Sequence, residues 1–452
     1  MKAAVWSCAA GLGLLACSLQ PPVHDVSLAL WPVQGLSQAA QQVGPKAQAR
    51  LAGAVEPRDE AHLQQLLADP QGPPLLWLGP RTWRGDWQIR RSVRIVGAGP
   101  TTVLQGSGTG TVVDVEGRDV SIENLVITGT GERHTQEDSA CKLRGSGHSL
   151  RHTELRHVLF GAVVAGCKGC TVEANHITGR AGDAELRGDG IKLWSADDGL
   201  VMGNRVEDVR DLVVWYSNRV QLRHNVVVRS RYGCHFMYTH DCDLRDSALV
   251  DNTVGIFVMY SADLRISGSV LAGARGPAGV GLGFKDSDDI QVIGNYLVRN
   301  TVGSYFDTTP RSPDHPVLLR DNVIAINDIA LRWHSQPHGV ALRGNDFVSN
   351  PEAVEVDGGG DATTADFEGN FWSDYAGYDL DGDGWGDVDH LQKHLSSSLT
   401  EEKPVLKFFR GTAALAVIDT LARAVPVLAT KLLLRDARPA MQPQHRLSNL
   451  RG

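Results

Sequence analysis

The feature that most restricts this chain is a column of small hydroxyl residues recurring at nearly constant spacing. Six pieces align: "GIKLWSADD" (190–198), "LVVWYSNRV" (212–220), "CHFMYTHDC" (234–242), "IFVMYSADL" (256–264), "LGFKDSDDI" (282–290) and "SYFDTTPRS" (304–312). The hydroxyl falls at Ser195, Ser217, Thr239, Ser261, Ser287 and Thr309, with 22 residues between the first members and then 26. A second column reads Asn175, Asn204, Asn225, Ser247, Ser269, Asn295, Asn322, Asn345 and Asn370, often after glycine, as in "MGN", "IGN" and "RGN". Short β-branched runs flank it, and proline is rare within them. Short strands, turns and a period in the low twenties predict an all-β fold, a right-handed parallel β-helix. Coils stacked at ~4.8 Å place equivalent residues above one another. An asparagine at one corner of every coil then bonds its neighbours up and down, and it tolerates the left-handed geometry of a tight corner. Leucine-rich repeats need a leucine pattern that is absent, and helical repeats need longer 3.6-periodic segments.

The coils are expected over residues 91–372. Before them, within an N-terminal segment and cap (18–90), "RDEAHLQQLLADPQ" (58–71) reads as a helix that covers the open end of the solenoid and protects its strand edge. An acidic segment (373–402) and an apolar, helical tail (403–452) follow.

Strand alternation assigns sides. Leu212, Cys234, Ile256 and Leu282 share an apolar column, as do Val214, Phe236, Val258, Phe284 and Phe306; these are expected to face inward. The opposite parity then faces out. One outer column reads Leu193, Trp215, Met237, Met259, Lys285, Asp307; beside it run Ile191, Val213, His235, Phe257, Gly283 and Tyr305. An apolar, sulfur-bearing stripe on an outer face marks a binding surface, unless a loop or the tail covers it. The chain has 5 methionines, and two of them occupy this column with His235 on the same face. Thioether and imidazole together suit Cu(I), a soft ion; His240, just past the strand, is a further candidate ligand. The run Trp194, Tyr216, Tyr238, Tyr260 reads as a structural stack rather than a sugar platform.

"GDGIKLWSADD", "RYGCHFMYTHD", "TVGIFVMYSADL" and "GNFWSDYAGYDLDGDGWGD" closely resemble the NosD family, periplasmic accessory proteins for maturation of nitrous oxide reductase. The resemblance covers most of the chain, through to "PVLKFFRGTAALAVIDTLARAVPVL". It implies a protein that is not an enzyme, that sits on an ABC transporter and takes part in delivering copper for the reductase's copper centres. The implied partners are the transporter's permease and ATPase, a copper-chaperone lipoprotein and the apo nitrous oxide reductase. It does not say which residues hold the ion. Cys234 and Cys242 depart from the family pattern, which leaves open a disulfide, an added thiolate ligand or no role.

"DLDGDGWGD" puts Asp379, Asp381, Asp383 and Asp387 at positions 1, 3, 5 and 9 of an EF-hand-like loop, a candidate calcium site, with Gly384 at the turn. The twelfth position is His390, not the bidentate glutamate, so affinity is reduced. The alternative is a solvated acidic turn. The tail from 411 to 434 is apolar but interrupted by Asp419, Arg423 and Lys431 and kinked by Pro426, which argues against a membrane span. It reads either as helices docking on a membrane partner or as a segment folded back on the solenoid.

The N-terminus (1–17) reads as an export signal, ending at "LLACS". That resembles a lipoprotein signal with Cys17 lipidated; an ordinary cleaved signal discards it. Either way the mature chain lies outside the cytoplasm; the resemblance implies the periplasm, with or without a lipid anchor. Cys167 and Cys170 lack a second CxxC, so a local disulfide or two buried thiols is favoured over zinc. A net charge of −8 argues against a nucleic-acid partner. Two rival readings remain: a metal-free scaffold joining transporter and reductase, and a carbohydrate-active β-helix enzyme. The latter would use Lys285, Asp286, Asp288, Asp289 and Asp307 on one groove.

Overall fold

In a computed structural model of the chain, residues 43–394 and 431–445 are described. The expected signal segment with Cys17, and residues 403–430 of the tail, lie outside the described residues. Successive strands up to Phe371–Trp372 pair in parallel three apart, which winds the chain into a parallel β-solenoid of three faces and about 13 turns. The first face begins with Leu75–Leu78, the second with Thr82–Arg84 and the third with Trp87–Ile89. The coils therefore start one turn before residue 91, and they run to Phe371–Trp372.

The interior holds the expected columns. Leu212, Cys234, Ile256 and Leu282 are at most 1 % exposed, as are Val214, Phe236, Val258, Phe284 and Phe306. Phe284, Phe306 and Trp333 stack at 5.2 and 5.0 Å between centroids. The asparagine column is a hydrogen-bonded ladder. Asn322 Oδ1 accepts from the Asn295 N–H (2.9 Å) and Nδ2 (3.1 Å), and Asn322 Nδ2 donates to the Val292 carbonyl and to Asn345 Oδ1, both at 2.9 Å. Ser247 and Ser269 bridge the middle coils through their hydroxyls. A parallel ladder, Asn300, Asn327 and Asn350, marks another corner of the later coils.

Glu60–Ala68 is the capping helix. Asp59 caps it by accepting from the His62 N–H at 2.8 Å, and Leu63 and Leu67 turn into the first coil's core. The other end departs from expectation. Where the expected helical tail is described, Lys431–Asp436 is a strand, antiparallel to His390–His394 and joined to the first face. Its Asp436 Oδ2 terminates the ladder, accepting from the Asn370 N–H (3.1 Å) and Nδ2 (2.9 Å) and from Trp372 Nε1 (3.0 Å). The last asparagine needed a buried acceptor, and a tail residue supplies it. Cys167 and Cys170 form a local disulfide. Cys141, Cys234 and Cys242 are free and buried; burial pushes the Cys242 thiol up to about 11, so these are inert interior thiols and no part of an outer site.

A candidate soft-metal site on the third face

Register on the third face sets what stands beside what. Trp194, Trp215, Met237, Met259, Lys285 and Asp307 are successive partners, and so are Lys192, Val213, His235, Phe257, Gly283 and Tyr305. Ile191 and Leu193, both expected outward, instead pair with Leu212 and Val214 and are 0 % and 2 % exposed, in the core. Aligning Ser195 with Ser217 is one residue out: it is the Ala196 N–H that donates to Ser217 Oγ, across a step of 21 residues. A one-residue slip flips every side chain, so Lys192 and Trp194 take the outer positions in that coil. Trp215 and Phe257 are outward and half-buried. The Phe257 ring lies over Gly283, where any Cβ would come within 2.5 Å of it.

His235 and Met259 meet. His235 Nε2 lies 3.3 Å from Met259 Sδ, and Met237 is the register partner of Met259 one coil away. The imidazole is 6 % exposed, wedged between Trp215 (5.3 Å, edge-on) and Tyr232 (4.9 Å). Its Nδ1 is buried with no hydrogen-bond partner among the described residues. Burial lowers its pKa to about 4; Asp211 pulls it up, and Arg231 and Arg210 push it down again. The ring is therefore neutral across the physiological range, with a lone pair uncommitted to a protein donor. A neutral imidazole with two thioethers is a donor set that fits a soft monovalent ion. His240 is not brought in: it begins His240–Arg245 on the first face, past the Thr239 corner, and is exposed.

The soft patch is bounded by ion pairs. At one end Lys192 pairs with Glu137 and lies over the Trp194 and Trp215 rings at 5.1 and 5.4 Å. At the other, Lys285 pairs with Asp307 at 2.6 Å. Below it, buried Asp211 is paired with Arg231, and buried Asp189 with Arg210 at 2.9 Å. Beside the patch Tyr216, Tyr238 and Tyr260 stack at 5.0 Å, nearly parallel. Their faces are occupied by one another, so they present edges and not a sugar platform. The outer place of Lys192 and Trp194 was missed from sequence; the tryptophan pair Trp194/Trp215 was the available signal.

The low imidazole pKa makes a prediction. Cu(I) affinity should stay flat from pH 7.5 to 5 and fall only as pH nears 4, measured by chelator competition. An ordinary histidine would lose ~10-fold per unit below ~6.5. The same burial works against the fold in acid: the unfolded imidazole takes a proton near ~6.5 that the folded one refuses, so stability drops as pH falls from there towards 4.

In the acidic loop, carboxylate oxygens of Asp379, Asp381 and Asp383 lie within 4.8 Å of one another. Asp379 accepts from the Gly382 and Gly384 N–H groups (2.7 and 2.9 Å), and Asp387 from the Leu380 N–H (2.6 Å), closing the loop. His390 does not turn to it; its ring stacks on Trp372 at 4.8 Å. Of the carboxylates proposed for the enzyme reading, Asp288 pairs with Arg311 (2.7 Å) and Asp289 with His315 (2.8 Å), both outside the proposed set, while Asp307 pairs with Lys285 within it and Asp286 lies 3.9 Å from the same ammonium. Burial raises the Asp307 carboxyl, and the Lys285 ammonium more than reverses this, leaving it below the usual range, the opposite of what a general acid requires.

Fold and site define a class: a parallel β-solenoid carrying soft-metal donors on one outer face. Residues 169–377 match the family model described as "Periplasmic copper-binding protein (NosD)". A protein of Pseudomonas aeruginosa named "Probable ABC transporter binding protein NosD" is 27 % identical over 368 residues, covering 75 % of this chain and 82 % of that one. Its namesake in Stutzerimonas stutzeri is 23 % identical over 80 % of this chain and 85 % of its own. Over these stretches the chain is similar to the NosD family. Among solved structures it resembles the A-module of the mannuronan C-5 epimerase AlgE6 of Azotobacter vinelandii (TM-score 0.53, 14 % identity, 72 % of this chain and 98 % of that one). It also resembles the catalytic unit of a GH87 α-1,3-glucanase of Streptomyces thermodiastaticus (TM-score 0.56, 16 % identity, 72 % and 69 %). At those identities the likeness is one of fold alone. Among the described residues no helix is long and apolar enough to cross a membrane.

Proposed function

We propose that this chain is a periplasmic copper-handling accessory protein that takes Cu(I) as cargo on its third face, docked to an ABC transporter. The observation that carries the reading is the contact of neutral, buried His235 with Met259, with Met237 in register beside it. The family's description as copper-binding and the relatives' names as transporter-binding proteins support cargo and partner. In this reading a copper-chaperone lipoprotein loads the patch, and the apo nitrous oxide reductase receives the ion. Trp215 and Phe257 then form the apolar rim that a docking protein covers. The test is an anaerobic Cu(I) titration of the mature protein beside His235→Ala, Met237→Leu and Met259→Leu. One equivalent in the parent and weakened binding in the variants supports the site. A parent that binds no Cu(I) leaves the metal-free scaffold, and turnover of a uronate polymer would favour the enzyme reading.

The partner element is the excursion 395–430. Its ends are register partners, His394 with Lys431, so the segment leaves and rejoins the solenoid at one place. Deleting 411–452, the obvious truncation, would remove Asp436 and the last rung of the ladder. Replacing 395–430 by a short Gly-Ser turn should instead leave the solenoid folded and abolish co-purification with the permease; retained co-purification would place docking elsewhere.

We also propose that Asp379, Asp381, Asp383 and Asp387 hold calcium, as a structural clamp beside the end cap. Calcium should raise the melting temperature of the parent relative to chelator, and Asp381→Asn should remove that increment, read by calorimetry.

A further inference from the structure

The three outer faces differ in kind. In the middle coils the first face is charged, as at Asp243/Arg245, and the third carries the soft patch. The second is aliphatic. Its outer positions change from Arg205 and Glu207 to Val226 and Val228, then Ala248 and Val250, Val270 and Ala272, Tyr296 and Val298, Val323 and Ala325. These form an apolar cluster separate from the interior, whose own residues are the middle ones, such as Val227, Leu249 and Leu271. Yet Val226, Val270, Val298 and Val323 are at most 1 % exposed, and Ala248 and Ala325 are 0 % exposed. Valines and alanines on a sheet face are too short to screen one another so completely. Their screening calls for a covering segment.

Two described stretches point to it from opposite ends. Residues 44–48 run lengthwise along the corner between first and second faces, against the direction of winding. The Gln48 N–H donates to Ala98 O, the Lys46 N–H to Asn124 Oδ1 and the Gly44 N–H to Ala174 O. Gly44 also lies against the His176 Cβ, at the first position of the second face. From Gln48 back to Gly44 the chain thus climbs towards the coil of Arg205. At the far end Gln444 and His445 bond Asp346 with their backbone N–H groups, at 3.0 and 2.8 Å.

We propose that residues 23–42 dock lengthwise on this second face as an N-terminal strap. The sequence there, "VHDVSLALWPVQGLSQAAQQ", offers Val26, Leu28, Leu30, Trp31, Val33 and Leu36. The reach is adequate: from His176 to Val270 is four strand steps, ~19 Å, and the segment spans ~66 Å extended or ~30 Å as a helix. The strap hides a flat aliphatic face that would otherwise recruit other chains, and it leaves the third face free for cargo.

The test places a thiol on the face of the mature full-length chain, as Ala248→Cys. The native free cysteines are interior and give little background with maleimide. The Ala248→Cys thiol should resist labelling, and the protection should be lost when Leu28→Asp and Leu30→Asp are added. Ready labelling without the strap substitutions would overturn the proposal. So would protection that survives them but is lost on replacing 395–430. Should the triple variant not fold, a photo-crosslinking residue at Leu30 in the otherwise unaltered chain decides: cross-links to the strands from Val226 to Ala325 support the strap, and cross-links elsewhere refute it.

Discussion

Replacing Met259 by leucine should lower Cu(I) affinity by at least ~100-fold while leaving the fold unchanged. Leucine and methionine are close in volume, so the swap stabilises or destabilises by less than ~1.5 kcal/mol, and Met259 is outward and only half-buried. What is removed is the sulfur 3.3 Å from His235 Nε2. Loss of a mere supporting contact already lowers metal affinity ~10–100-fold; loss of a ligand should exceed that. His235→Ala should act at least as strongly, since it removes the only nitrogen donor of the set. His240→Ala should be silent, because His240 lies on another face. Chelator competition measures all three.

The largest effect on stability belongs to the ladder. Asn322→Ala should cost about 4 kcal/mol. Asn322 is 0 % exposed, and its loss orphans the Asn295 N–H, the Asn295 Nδ2 and the Val292 carbonyl at once. A solenoid couples mainly nearest coils, so hydrogen exchange should accelerate around 290–350 before the capped N-terminal coils respond. Asn322→Ser should be milder, because Ser247 and Ser269 hold the same column in two coils. Equal loss for both variants would mean that volume, not hydrogen bonding, sets the cost.

Those two residue types also explain what could be read in advance. The asparagine column was legible because every coil spends one residue on the same corner, and each bonds the next at a register the sequence spacing preserves. Inward Phe236 and Phe284 followed from period-two alternation. Leu193 did not, because the hydroxyl column skips to alanine at Ala196, and one missing hydroxyl moved the register by one. The stacking of Met237 on Met259, with His235 on the same face, was legible from the coil spacing; the orphaned Nδ1 and the depressed imidazole pKa were not, since both arise from burial between Trp215 of the preceding coil and Tyr232 of its own strand, beside the Asp211, Arg231 and Arg210 charges. Lys431–Asp436 was read as helical because its apolar residues continue the tail's composition. Its strand state is set from outside, by an open sheet edge and by Asn370 needing an acceptor. The aliphatic second face was visible as "VVV" and its neighbours, but alternation alone cannot distinguish a covered outer face from an exposed one.

X-ray absorption at the copper edge, on the mature protein loaded anaerobically with one equivalent of Cu(I), tests the central claim most directly. The site on the third face predicts a first shell of sulfur with nitrogen. The nitrogen should be lost in His235→Ala, and sulfur should decrease in Met237→Leu and in Met259→Leu. A shell of oxygen and nitrogen alone, or a spectrum unaltered by all three substitutions, would contradict it.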